Sequence, residues 1–143
     1  MDRLLVAVVL VVLAVAVAVL LQRRRPDPPT APRWAVPTQL DRADFSGCDA
    51  PWLVAVFTSA TCATCAGVLT RAAPLASNEV VVEEVEVGAR PDLHRRYGID
   101  AVPCLVVADA EGEVRASYVG QPTAAELWAT LAEVRAGRPP SDA

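Results

Sequence analysis

Four cysteines occur in the chain, at positions 48, 62, 65 and 104, and one pair has a spacing that supports chemistry. Cys62 and Cys65 are separated by two residues, which lets their thiols close a small disulfide ring. The apolar run at residues 52–57 predicts a strand before the pair, and the Ala- and Leu-rich residues 63–76 predict a helix after it. A helix amino terminus stabilises a thiolate through its free backbone donors and its dipole. The motif Cys62-Ala63-Thr64-Cys65 therefore indicates thiol-disulfide exchange.

Two other interpretations of the cysteine pair stay open at this point. One is half of a structural zinc site, which normally needs a second Cys or His pair at short spacing, and His94 is the only histidine in the chain. The other is two incidental core cysteines. His94 falls on a predicted helix, and we expect it to have no catalytic role. No pattern in the sequence indicates a cofactor.

The elements around the pair alternate between strand and helix. The β-branched residues 79–87 predict a second strand, and Pro91 begins a predicted helix that ends at Gly98. Residues 105–108 predict a third strand, and a turn at 109–112 joins it to a hairpin partner at 113–119. The last helix begins with a capping box formed by Thr123 and Glu126. Three of its apolar residues, Leu127, Leu131 and Val134, fall on one face. This order predicts an α/β sandwich with a mixed sheet.

These motifs together resemble the thioredoxin family over residues 34 to 137, roughly. Residues 53–65 are similar to the active-site strand and loop of that family, and residues 97–103 are similar to the segment that leads into its cis-proline. Residues 111–114 and 119–120 match its terminal hairpin and the glycine that follows. The resemblance implies a thioredoxin-like three-layer sandwich.

The resemblance also implies roles for three residues. Cys62 is the nucleophile that attacks a disulfide of a partner protein, and Cys65 resolves the mixed disulfide. Pro103, after a cis peptide bond, lets backbone groups bind the partner chain. The implied partners are protein disulfide substrates and a thiol reductant. From the residues alone, the alternative for Pro103 is an ordinary strand-edge proline.

The chain departs from the usual residues of the family beside the dithiol. Val56 stands where a buried acid often assists the proton transfer of the second cysteine, so we expect that transfer to depend on water. Thr61 replaces a frequent Trp, and Ala63-Thr64 replaces a frequent Gly-Pro. Because the residues between the cysteines tune the reduction potential, the direction of electron flow stays open.

Cys104 directly follows Pro103, where the family often has Thr. In the family's fold we expect this third thiol to lie close to Cys62 and Cys65. There it can pair with one of them, restrain their redox cycling, or complete a three-thiolate site for copper(I) or zinc. The plainer interpretation is a small buried residue in place of Thr. A metal-binding or metal-transfer module that uses these three cysteines is the alternative function, and a redox-silent membrane scaffold is a weaker one.

Residues 4–21 form a run of 18 residues without a charge, a polar side chain, a Gly or a Pro. As a helix this run covers about 27 Å, enough to cross a bilayer, and it is too long and too uniformly apolar for an ordinary core element. A cleaved signal peptide needs a basic start, whereas here Arg23, Arg24 and Arg25 follow the run. We therefore expect one N-terminal transmembrane helix, with residues 1–25 as anchor in the plasma membrane and the soluble domain in the cytoplasm.

The rest of the chain divides into a linker, a domain and a tail. Residues 26–37 contain five prolines, which favours an extended spacer. Residues 38–138 suffice for one domain with its own core, and residues 139–143 form a short tail. Nine Arg and sixteen Asp or Glu follow Arg25, a net charge of −7, which argues against nucleic acid as a partner.

Overall fold

The computed structural model describes Val15 and residues 34–140 of the chain. The predicted membrane-spanning run at 4–21 lies, apart from Val15, outside the described residues, as do most of the linker and residues 141–143 of the tail. Within the described part of the chain, no helix has the length and apolar character needed to cross a membrane. From Trp34 onward the described residues belong to one compact unit.

The described residues form four strands and three α-helices in the predicted order. They are strand β1 (Trp52–Thr58), helix α1 (Cys65–Ala72), strand β2 (Val80–Glu86), helix α2 (Pro91–Arg96), strands β3 (Cys104–Ala108) and β4 (Val114–Val119), and helix α3 (Ala124–Arg135). The largest difference concerns α1, which was expected to span residues 63–76. Its α-helical part ends at Ala72 and continues as a 3-10 turn, Ala73–Leu75. Pro74 explains this end, because it has no N–H for a further helical hydrogen bond.

The sheet is mixed, as the sequence predicts. The strand order is β2-β1-β3-β4, in which β1 is parallel to β2 and antiparallel to β3, and β3 is antiparallel to β4. The turn between β3 and β4 contains Gly112 at φ 81°, in the left-handed region. A Cβ at this glycine would lie 2.0 Å from the carbonyl oxygen of Leu40, so the turn and the segment before β1 approach each other too closely for any side chain.

Both faces of the sheet are covered, which gives three layers. Alternate residues of β1 point to opposite faces. Val54 and Val56 pack in a cluster with Val68 of α1 and with Leu131 of α3. The other alternate residues of β1 point to the opposite face and pack with α2. This second cluster includes Leu53, Ala55, Phe57 and Leu93. Helices α1 and α3 therefore cover one face of the sheet, and α2 covers the other.

Helix α3 confirms the predicted capping box. The Thr123 hydroxyl accepts from the N–H of Glu126 at 3.2 Å, and the Glu126 carboxylate accepts from the N–H of Thr123 at 2.6 Å. The predicted apolar face, Leu127, Leu131 and Val134, is buried. This helix closes the α1/α3 face of the core.

Side-chain hydrogen bonds hold the segment before β1 against α2. The Tyr97 hydroxyl donates to the carboxylate of Asp44 and accepts from the N–H of Asp41 at 3.0 Å. Arg96 forms an ion pair with the same Asp44 carboxylate at 3.0 Å. The pKa of Tyr97 is raised to about 12. Desolvation is the largest cause, and the hydrogen bond to Asp44 is the second.

Candidate functional site

Cys62 and Cys65 form a disulfide at the start of α1, with their Cα atoms 5.5 Å apart. Two backbone bonds shape the loop: the N–H of Cys62 donates to the carbonyl of Ser59 at 3.0 Å, and the N–H of Cys65 donates to the carbonyl of Cys62 at 3.4 Å. The helix begins at Cys65, two residues later than predicted. Cys62 therefore lies in the turn that leads into the helix, where the first backbone N–H groups have no partner within the helix.

The two sulfurs of the pair differ in exposure. Cys62 is half-buried, whereas Cys65 is 3% exposed. A partner disulfide can therefore reach the first sulfur more easily than the second. Burial disfavours the charged form of a thiol, so in the reduced protein this difference favours ionisation of Cys62 over Cys65.

A threonine hydroxyl lies beside the first sulfur. Thr64 Oγ1 is 3.7 Å from Cys62 Sγ, within hydrogen-bond range for sulfur. Thr64 occupies the N-cap position of α1, yet its side chain makes no capping hydrogen bond to the helix backbone. Its hydroxyl is thus directed to the cysteine instead.

Pro103 is buried, and the peptide bond between Val102 and Pro103 is cis, as the resemblance implies. The N–H of Gly120 donates to the Pro103 carbonyl at 2.9 Å. Because β3 runs antiparallel to β1, its first residue, Cys104, pairs with Phe57 near the end of β1. Pro103 therefore lies at the sheet edge from which the cysteine loop emerges.

Cys104 does not join the dithiol. Its side chain packs in the cluster on the α2 face of the sheet, whereas the helix that carries Cys65 covers the opposite face. It is 1% exposed, and burial raises the pKa of its thiol to about 11. Among the residues that the structure describes, no three His, Cys, Asp or Glu side chains are grouped so that they could hold a metal ion. Within the described residues, the three cysteines therefore do not form the three-thiolate site of the alternative function.

The face beneath α1 has no acid at position 56, but it has one on the next strand. Val56 is completely buried and pairs in parallel register with Glu84 of β2. A Glu84 carboxylate oxygen accepts from the Thr58 hydroxyl at 2.6 Å. Thr58, Val56 and Glu84 point to the same face because they are alternate or paired residues. The carboxylate on this face therefore belongs to β2 rather than to β1.

A second carboxylate holds the loop before Cys62. Glu86, at the end of β2, accepts from the N–H of Ala60 at 3.1 Å and of Ala89 at 2.9 Å. The pKa of the Glu86 carboxyl is lowered by hydrogen bonds from backbone N–H groups. The bond from Gly88 has the largest effect, and those from Ala89 and Ala60 add to it. This side chain places a fixed negative charge beside the cysteine loop.

The other residues considered from the sequence lie apart from the dithiol. His94 is buried, with Nε2 2.8 Å from the carbonyl oxygen of Val85 and its ring edge against Phe57, so it is a core residue. Cys48 is an exposed free thiol. Its turn is supported by Arg42, whose buried guanidinium donates to the carbonyls of Gly47 and Ala50 at 3.1 and 3.0 Å.

Sequence reasoning missed Thr64 as a neighbour of the Cys62 sulfur and Glu86 as a contact of the loop before Cys62. Thr64 carried a signal, since a hydroxyl between two cysteines lies within one helical turn of both. Glu86 carried none, because its contact with Ala60 depends on the pairing of β1 with β2.

Comparison with known proteins agrees with this architecture. The thioredoxin family model matches residues 44–133, more than half of the chain, so the chain belongs to the thioredoxin family. A search of curated proteins finds no match.

Three solved structures are similar to this chain. The germline-specific thioredoxin Deadhead from Drosophila melanogaster is 23% identical with a TM-score of 0.54, and the match covers 61% of this chain and 84% of that one. A malarial protein is 15% identical with a TM-score of 0.53, covering 57% and 94% of the two chains. A mutant thioredoxin from Halobacterium salinarum is 26% identical with a TM-score of 0.49, covering 56% and 71%. The first two support the fold.

Proposed function

We propose that this chain is a thiol-disulfide oxidoreductase that exchanges disulfides with partner proteins through Cys62 and Cys65. The observation that carries the proposal is the bonded cysteine pair at the start of α1, with the first sulfur half-buried and the second buried. Membership of the thioredoxin family supports it. The partners are protein disulfides, and a thiol reductant restores the dithiol.

The exchange proceeds in two displacements. The Cys62 thiolate attacks one sulfur of the partner disulfide, so a bond between Cys62 and the partner forms and the partner's own S–S bond breaks, releasing a thiolate. Cys65 then loses its proton and attacks the Cys62 sulfur, which forms the Cys62–Cys65 disulfide and releases the second partner thiolate. Two electrons pass to the partner, and the pair ends in the oxidised state that the structure has.

The surroundings assign different tasks to the two thiols. Cys62 lies in the turn before α1, where free backbone N–H groups stabilise its thiolate. Cys65 is buried, and its proton leaves without an acid at position 56. Pro103, at the same sheet edge, is the residue we assign to binding of the partner backbone beside the dithiol.

The assay is reduction of a model protein disulfide by the full chain with dithiothreitol as the reductant. We expect turnover by the wild type and by Cys48→Ser, because Cys48 lies in a separate turn. Cys62→Ser should be inactive. Full activity of Cys62→Ser would overturn the proposed assignment.

We further propose that the domain is tethered to the plasma membrane and faces the cytoplasm. The support is the uncharged run at residues 4–21 and the three arginines that follow it. The protein should remain in carbonate-washed membranes. In intact cells a membrane-impermeant thiol reagent should leave Cys48 and Cys62 unmodified, whereas it should label Cys48 after permeabilisation. Labelling in intact cells would place the domain on the other side.

A further inference from the structure

The hydroxyl of Thr64 is directed to the reacting sulfur. Thr64 Oγ1 lies 3.7 Å from Cys62 Sγ and makes no capping bond to α1. In the disulfide the Cys62 sulfur carries no proton, so the threonine O–H must be the donor. After reduction the thiolate is a stronger acceptor in the same place, since hydrogen bonds to charged groups are the stronger ones.

The charged side chains that contact this loop oppose a thiolate. Glu86 accepts the N–H of Ala60, and Glu84 accepts the hydroxyl of Thr58, both from β2. Cys65 and Arg71 are the titratable groups on α1, where the Arg71 guanidinium turns toward Gly67, and Asp100 lies in the loop that leads to Pro103. Because the nearby carboxylates are negative, stabilisation of the Cys62 thiolate depends on dipoles and hydrogen-bond donors.

We propose that Thr64 is a catalytic residue, whose hydroxyl donates a hydrogen bond to the Cys62 thiolate and sets how readily this thiolate forms. The inference rests on the proposed function, in which Cys62 is the attacking thiol. It gives the dipeptide between the cysteines a specific chemical role: Ala63 contributes no donor from its side chain, and Thr64 contributes one.

The expected size of the effect follows from the strength of a hydrogen bond to a charged group. Removing the hydroxyl should raise the pKa of Cys62 by about 1. At a pH below the wild-type pKa of Cys62, the fraction of Cys62 present as thiolate should be about tenfold lower in the variant than in the wild type. The nucleophilicity of each thiolate rises about threefold, so the rate of attack should fall about threefold.

The test is the pH profile of Cys62 alkylation in the reduced full chain, read by peptide mass spectrometry, together with disulfide exchange activity. Thr64→Val and Thr64→Ala remove the hydroxyl, and Thr64→Ser keeps it. Thr61→Val is the matched control, because Thr61 precedes Cys62 in the chain and its hydroxyl is 3.1 Å from Ser59 Oγ. We expect the pKa of Cys62 to rise in the first two variants and to stay at the wild-type value in Thr64→Ser and Thr61→Val.

The outcomes separate this inference from the proposed function. An active wild type whose Cys62 pKa is unchanged in both Thr64→Val and Thr64→Ala overturns the role of Thr64 and leaves the function standing. The same rise in Thr64→Ser or Thr61→Val also overturns it, since the effect is then not that of the hydroxyl. A wild type that exchanges no disulfides overturns the proposed function and this inference with it.

Discussion

Placing an acid at position 56 tests whether the side chain at this position is buried beneath α1 as the structure has it. Val56 is completely buried in the cluster that contains Val68 of α1. In Val56→Asp the carboxyl replaces a fully buried side chain, so desolvation should raise its pKa in the folded state well above the ordinary value of about 4. Glu84, paired with position 56 on the same face, acts in the same direction through repulsion.

The sign and size of the effect on stability follow from this rise. Below about pH 4 the aspartic acid is protonated in both states, whereas at higher pH the unfolded chain releases the proton and the folded chain retains it. Stability therefore falls as pH rises. Burial raises a carboxyl pKa by about 3 or more, and each unit corresponds to 1.36 kcal/mol, so the free energy of unfolding should drop by roughly 4 kcal/mol between pH 4 and pH 7.

The assay is urea unfolding of Val56→Asp at pH values from 4 to 7, followed by tryptophan fluorescence. Val56→Asn is the control, because it adds a polar side chain of the same shape that does not ionise. We expect the difference in free energy of unfolding between the two variants to grow by roughly 4 kcal/mol over this range. Equal pH dependence in the two variants would refute the burial of position 56.

Three further predictions concern residues outside the dithiol. Brief alkylation of the native protein at pH 8 should modify Cys48, which is exposed, and leave Cys104 unmodified, because burial raises its pKa to about 11; the reverse pattern in peptide mass spectrometry would place Cys104 at the surface. Tyr97 has a folded-state pKa raised to about 12, so its contribution to stability is present below pH 10 and lost as pH rises to about 12. Denaturant unfolding of Tyr97→Phe should lack this loss, and an identical loss in the variant would contradict the hydrogen bond to Asp44. Thr123→Ala should lower the free energy of unfolding by about 1 kcal/mol through loss of the N-cap, whereas Thr123→Ser should stay near wild type.

The order of elements could be predicted from the sequence because each local signal agreed with the fold. The apolar run of β1 is buried from Leu53 onward, and the capping box at Thr123 starts α3 where expected. The start of α1 was less predictable. Ala63 favours a helix in the sequence, but the turn that brings Cys62 and Cys65 together delays the helix to Cys65.

Long-range contacts could not be read from the sequence. Cys104 follows Pro103 directly, and for this reason it was expected to lie close to the dithiol. The pleat of β3 turns the Cys104 side chain into the cluster on the α2 face. Arg42 had no local signal either, since its buried guanidinium also donates to the carbonyl of Asp109, 67 residues away in sequence, at 2.8 Å. Such contacts depend on register and on chain packing rather than on neighbouring residues.

Trapping the mixed disulfide tests the central assignment most directly. Reduced Cys65→Ser of the full chain is mixed with a model protein disulfide, separated without reductant, and the linked cysteine is identified by peptide mass spectrometry. Because Cys62 is the more exposed sulfur and the serine hydroxyl of this variant cannot resolve the intermediate, we predict a stable adduct through Cys62. The adduct should persist in Cys65→Ser combined with Cys48→Ser and disappear when Cys62 is also replaced. An adduct through Cys48 or Cys104, or one formed by Cys62→Ser through Cys65, would contradict the assignment of Cys62 as the attacking thiol.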